Sequence, residues 1–96
     1  MRMLMVVYSG SSPQRISSLF DAHHAAGYTE FRNAHGVGST GKRDGSRAWP
    51  GESTLFVTVV PASQSEELVD TLRAEAPQLP AGERLHVAVL PAIAFF

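Results

Sequence analysis

The chain contains no cysteine. That excludes a disulfide framework, a thiol nucleophile and a thiolate metal site, and it fits a reducing compartment such as the cytoplasm. Long apolar runs are missing as well. The one at residues 3–8 is shorter than a signal-peptide core and is followed by Ser9-Gly10-Ser11-Ser12-Pro13. Nothing approaches the roughly 20 residues that a membrane-spanning helix needs, so no membrane insertion is expected. Neither sign of charge dominates. Eight Lys and Arg against nine Asp and Glu leave a formal net charge of −1, without the basic surplus of a general nucleic-acid binder. With 96 residues there is material for one hydrophobic core, so residues 1–96 are expected to form a single domain.

The scarce residues are gathered in one place. Between Gly36 and Gly51 lie five of the eight glycines, the only lysine (Lys42), two arginines (Arg43 and Arg47) and the only tryptophan (Trp49). The same stretch holds one acid, Asp44, whereas the segment 63–75 is acidic, with Glu66, Glu67, Asp70 and Glu75. Backbone N–H groups of glycine approach an anion unobstructed, and cations beside them complete an anion site. The stretch is also longer than the two to five residues that usually join two strands.

Elsewhere the pattern reads as alternating strands and helices. Met1 to Tyr8 is an apolar strand. Ser12 as N-cap and Pro13 at the first helical position open a helix over 13–26, with Ile16, Leu19, Phe20 and His23 on one face and Gly27 at its C-terminal cap. Tyr28 to Ala34 is a weaker strand, and Thr54 to Val60 a strong one ended by Pro61. Ser63 and Glu66 form a capping box for a helix over 63–75 that buries Leu68, Val69 and Leu72. Pro77 to Gly82 is a turn, and Leu85 to Leu90 a final strand closed by Pro91.

This order, β-α-β-β-α-β, predicts an α+β, ferredoxin-like sandwich: an antiparallel four-stranded sheet with two helices on one face. In the first strand both alternating sets are apolar, Met3, Met5 and Val7 on one side and Leu4, Val6 and Tyr8 on the other. Helices cover only one of these faces. The other predicts a homo-oligomer in which sheets pack together, with the apolar segment 92–96 helping to seal it.

Element order, length, the apolar second face and the segment Gly36-Val37-Gly38-Ser39-Thr40-Gly41-Lys42 together resemble the PII signalling-protein superfamily. With Arg43, Gly45, Arg47 and Trp49-Pro50-Gly51, the chain is most similar to its divergent PII-like branch. The resemblance implies a trimer, ligand clefts between adjacent subunits, and a T-loop here formed by residues 36–51. It extends neither to tyrosine modification, since the loop holds no tyrosine, nor to the Thr-Gly-x-x-Gly-Asp-Gly-Lys phosphate turn, where this chain reads Pro77 to Arg84.

The expected ligand-binding residues are therefore Gly36, Gly38, Ser39, Thr40, Gly41, Lys42, Arg43, Arg47 and Trp49. The glycines would offer N–H groups and the cations charge to a nucleotide or other small anionic metabolite. Trp49 would stack on a flat ligand or anchor the loop to its own protein. No catalytic residue and no cofactor are expected, and a regulated protein partner is consistent with a sensor. Two alternatives stay open. One is a trimeric divalent-metal protein resembling CutA that uses His35, His86 or nearby carboxylates, although no metal-ligand spacing joins the four histidines. The other is a small phosphatase-like enzyme using Ser9 to Ser12 and Arg15, although the Val-x-Gly-Arg-Val-x-Gly pattern of acylphosphatases is absent.

Overall fold

A computed structural model describes residues 1–23, 27–36 and 53–96. Strand β1 (Arg2–Ser9) leads to helix α1 (Gln14–Ala22), strands β2 (Thr29–Ala34) and β3 (Ser53–Val60), helix α2 (Ala62–Glu75), a single 3-10 turn (Ala76–Gln78) and strand β4 (Arg84–Pro91). The strands form one antiparallel sheet in the order β2-β3-β1-β4, the ferredoxin-like arrangement predicted from the element order.

β1 and β3 form the middle of the sheet, and both carry apolar side chains on both sides. The inward set of β1, Leu4, Val6 and Tyr8, is completely buried, together with Phe56 of β3. Helix α1 contributes Ile16 and Phe20 to the same core, and α2 contributes Leu68 and Leu72. Phe20, Tyr28 and Phe56 form a tilted aromatic trio, with ring centroids 5.1 to 6.0 Å apart. Such geometry adds about 0.5–1.5 kcal/mol per pair beyond the area buried.

The outward face is apolar in register. Phe31, Leu55 and Val7 share one row with His86, and Val57, Met5 and Ala88 form the next; Val59, Met3 and Leu90 complete the patch. Phe31 is 52% exposed and Leu90 37%. None of the described helices lies over these residues.

The helix ends differ from the sequence reading. The last residue of α1 is Ala22, capped at His23, whose N–H reaches the Leu19 carbonyl at 3.1 Å. The chain must leave the helix there for Tyr28 to reach Phe20, and Gly27 instead offers its carbonyl to Thr58 Oγ1 at 2.6 Å. Residues 24–26 of the expected helix lie outside the described residues. Ser12 is not a side-chain cap: Pro13 occupies the cap position, no side chain caps the helix, and Ser12 instead offers its backbone carbonyl to the Arg15 N–H at 3.0 Å. Ser63 is likewise no cap. It lies inside α2, whose first turn starts from Pro61, and the Pro61 carbonyl receives the Ser65 N–H at 3.0 Å.

Strand β2 is interrupted by a bulge between Phe31 and Ala34, where Asn33 takes a φ of 59°. Bulges of this kind are common on edge strands. Replacing Phe56 by Ala is expected to cost about 3–5 kcal/mol of unfolding free energy in denaturant titrations, as large-to-small core changes do. Phe31→Ala, on the exposed face, is expected to change the stability of the isolated chain far less.

Candidate functional site

The cross-strand register assembles one end of the sheet. Ala34 pairs with Ser53, Ser53 with Ser9, and Ser9 with Arg84. The glycine-rich segment leaves β2 after Ala34 and rejoins the sheet at Ser53, so both of its roots lie in this row. Ser9 Oγ and Ser53 Oγ share a hydrogen bond of 2.8 Å. By strand alternation these residues share the outward face with Val7, Leu55 and His86. The outward face is thus apolar in its middle and polar at its loop-bearing end, where the exposed Arg84 supplies a positive charge.

Of the nine residues predicted to bind a ligand, Gly36 is exposed just beyond β2, and a Cβ built on it would meet nothing within 4 Å. Its identity is therefore not imposed by packing. Gly38, Ser39, Thr40, Gly41, Lys42, Arg43, Arg47 and Trp49 lie outside the described residues.

Beneath the same end, on the helix side, a hydrogen-bond network centred on the buried Tyr8 joins the approach to β4 with the loop after β1. Tyr8 Oη donates to Glu83 Oε1 at 2.7 Å and accepts the Ser12 N–H at 3.0 Å. Glu83 Oε2 accepts from both the N–H and the Oγ of Ser11, each at 3.3 Å. Gly10 lets these groups meet, since a methyl there would collide with the Tyr8 phenol and the Glu83 carboxyl. Gly82 makes the turn into Glu83 with a φ of 90°, a conformation that L side chains resist. Burial raises the Tyr8 pKa above its ordinary value, the Ser12 N–H opposes the shift, and the Glu83 carboxylate reinforces it. The phenol is therefore held protonated as a donor, and the carboxylate it holds immediately precedes Arg84.

Two other groups of residues come out differently. The Ser11 N–H, which an anion would need in the Ser9–Ser12 loop, is already taken by Glu83. Arg15 is turned away from that loop, paired with Glu75 and donating from Nη2 to the Gln78 carbonyl at 3.2 Å. The three histidines among the described residues do not converge. His23 Nε2 pairs with Thr71 Oγ1 at 3.0 Å across the two helices. His35 follows one edge strand and His86 lies on the other, three strand spacings or roughly 14 Å apart. Among the described residues no three metal-ligating side chains cluster.

Ser53, Glu83 and Arg84 escaped the sequence reading, and Ser9 entered it only through the phosphatase-like alternative. Each is an ordinary polar residue at a strand end or turn, and only the register brings them together.

The sequence matches no protein-family model and no curated protein. Solved structures do match in three dimensions. A PII-like signalling protein from Thermus thermophilus superposes with a TM-score of 0.63 at 21% identity, over 93% of this chain and 85% of that one. CPII from Thiomonas intermedia, a nitrogen regulatory PII-like protein solved with ADP, AMP and bicarbonate, gives 0.65 at 18% identity, over 94% and 93%. Its apo form gives 0.63 at 13% identity. The chain has the fold of PII-like signalling proteins, as the residues themselves suggested.

Tyr8 generates a pH prediction. An unfolded tyrosine loses its proton near 10.0, whereas the folded Tyr8 keeps it to higher pH. Its contribution to stability is complete below about pH 10 and is lost as the pH rises through the raised value. Tyr8→Phe is expected to lower stability at pH 7 by about 1–2 kcal/mol through its lost hydrogen bonds, and to flatten the decline above pH 10. Thermal melts across pH 7 to 11 check both.

Proposed function

We propose that this chain is a PII-like sensor, one domain over residues 1–96, that binds a small anionic metabolite or nucleotide and signals through the loop 36–51. The observation that carries the reading is the outward sheet face. It is apolar across three strands and turns polar in the row Ala34, Ser53, Ser9 and Arg84, from which the glycine-rich segment springs. A homotrimer packed through the apolar rows would bury them, and it would bring the polar rows of adjacent subunits to the rim of a cleft. The likeness to CPII, solved with ADP, AMP and bicarbonate, supports an anion as the ligand.

In this reading Arg84 supplies charge from the sheet, and Lys42, Arg43 and Arg47 supply it from the loop. Gly36, Gly38 and Gly41 offer backbone N–H groups, Ser39 and Thr40 hydroxyls, and Trp49 a stacking face for a base. An anion held between charges at a partly desolvated rim gains more than it would in open water. Ligand contacts made by one loop arrangement and not by others shift the loop's population and change the surface offered to a regulated protein partner. No reacting group takes part, so the reading is of a binding protein in a reducing cytoplasm.

The test is a thermal-shift panel of adenine nucleotides, cyclic nucleotides, bicarbonate, 2-oxoglutarate and divalent metals, run beside sedimentation analysis. Ligand at 100 times its dissociation constant adds about 2.7 kcal/mol of stability. A nucleotide or anion is expected to raise the melting temperature of an oligomer. A response to metals alone would overturn the anion reading in favour of a CutA-like one. Arg43→Ala combined with Arg47→Ala, and separately Arg84→Ala, are expected to weaken binding tenfold or more without unfolding the chain. Unchanged affinity in these variants would remove the loop and the strand end from the site.

A further inference from the structure

The helical layer leaves part of the inward face open. α2 packs over β1 and against α1, and beside it the inward side of edge strand β4 is only partly covered among the described residues: Leu85 and Val87 pack against the core, while Val89 is exposed. Two adjoining depressions of about 390 and 270 Å³ run along this line. Val69, Leu85, Val87 and Val89 give the groove its apolar floor, and Arg2 and Arg73 stand at its sides. Val89 is 44% exposed, although its register partner Leu4 is fully buried.

The same molecule carries an apolar segment with nothing to rest on. Beyond β4, the Ala92 N–H reaches the Met1 carbonyl at 3.1 Å, which extends the ladder by one residue. The chain then leaves the sheet. Ile93 and Phe96 show 101% and 113% relative exposure, so none of the described residues covers them, and Phe95 is 64% exposed. Soluble proteins rarely leave two aromatic rings and an isoleucine unpartnered in five residues.

We infer that the groove between α2 and β4 receives Ile93, Phe95 and Phe96 of a second copy of this chain. The groove offers valine and leucine side chains to the rings, and the guanidinium groups of Arg2 and Arg73 suit the face of a phenylalanine. The segment bends at Ile93 and still stays out of its own groove, as the exposure of Ile93, Phe95 and Phe96 shows. Folding back onto that groove would need a full reversal within Ala92-Ile93-Ala94, which holds no glycine, asparagine or aspartate to make a tight turn. The contact is head-to-tail, a different surface on each copy, and such contacts close into rings when the rotation permits. Two phenylalanines bury about 150–250 Å² each. That is well below the roughly 1,200 Å² of a self-sufficient interface, so the contact reinforces an assembly and does not create one. It rests on the proposed packing of subunits through the outward face.

A double-mutant cycle on the oligomer's dissociation constant tests it. Val89→Ser in the groove, and Phe95→Ser with Phe96→Ser in the segment, are each expected to raise that constant tenfold or more. Combined, they are expected to do no more than the larger change alone, because each removes the same contact. Full additivity overturns the inference and assigns the segment to another surface. Mixing chains that carry Val89→Cys with chains that carry Phe96→Cys is expected to give interchain disulfides under oxidation. A chain carrying both that instead closes its own disulfide at high dilution overturns the exchange in favour of fold-back. A wild-type chain that stays monomeric overturns the outward-face assembly together with this contact, whereas an oligomer with additive effects overturns this contact alone.

Discussion

Strand β1 is apolar on both of its sides, and the rest of the architecture follows from that. A strand with one polar side can sit in a two-layer sandwich with water on its far face. β1 is not of that kind, because Met3, Met5 and Val7 point where none of the described helices reaches. Placing β1 inside the sheet lets β3 and β4 extend the same apolar rows on either side, and Phe31 of β2 adds an aromatic ring at the edge. The inward half of the problem is solved within the chain by α1 and α2. The outward half is left uncovered among the described residues, and the proposed packing against a second copy of the same sheet would cover it.

The outward face also explains why the loop-bearing end is a reasonable place for a ligand. Polar side chains in the middle of such a face would be stripped of water on assembly and would need partners. Here they are confined to the terminal row, where Ser9 and Ser53 satisfy one another and Arg84 stays in contact with solvent. The Tyr8 and Glu83 network adds rigidity. The turn into β4 is fixed to the loop after β1 by three hydrogen bonds to one carboxylate. Arg84 is thereby held in register and does not swing with the turn.

Much of the fold was legible in the sequence because it depends on periodicity. The alternation in β1 and β3, the spacing of Ile16 and Phe20, and that of Leu68 and Leu72 are local facts about order along the chain. The helix caps were misread because Ser12 and Ser63 have the right chemistry in positions already claimed. Pro13 takes the cap position of α1 that Ser12 was expected to fill, and a proline begins the first turn of α2 two residues before Ser63. The glycine-rich loop was recognised as a candidate from composition, whereas Ser53, Glu83 and Arg84 were not, and Ser9 was considered only for a different, phosphatase-like site. These four lie up to 75 residues apart in sequence, and nothing in their immediate surroundings marks them. They become neighbours through strand order and register, and a single sequence gives little warning of either.

The placement of the loop's two roots bears on how a signal would travel. Ala34 and Ser53 are paired across neighbouring strands, so the segment between them starts and ends at fixed, adjacent points. Rearrangement of such a loop does not slide the sheet, because β3 is locked to β1 along its whole length from Arg2 and Val60 to Ser9 and Ser53. What the loop can move is confined to its own residues and to the terminal row. The bulge at Asn33 lies in the last turn of chain before that row and weakens pairing on the β2 side only. A ligand bridging the loop and Arg84 would therefore restrain the loop against a rigid sheet edge. Its binding energy would go into selecting a loop arrangement and not into deforming the core, which is the division of labour a sensor requires.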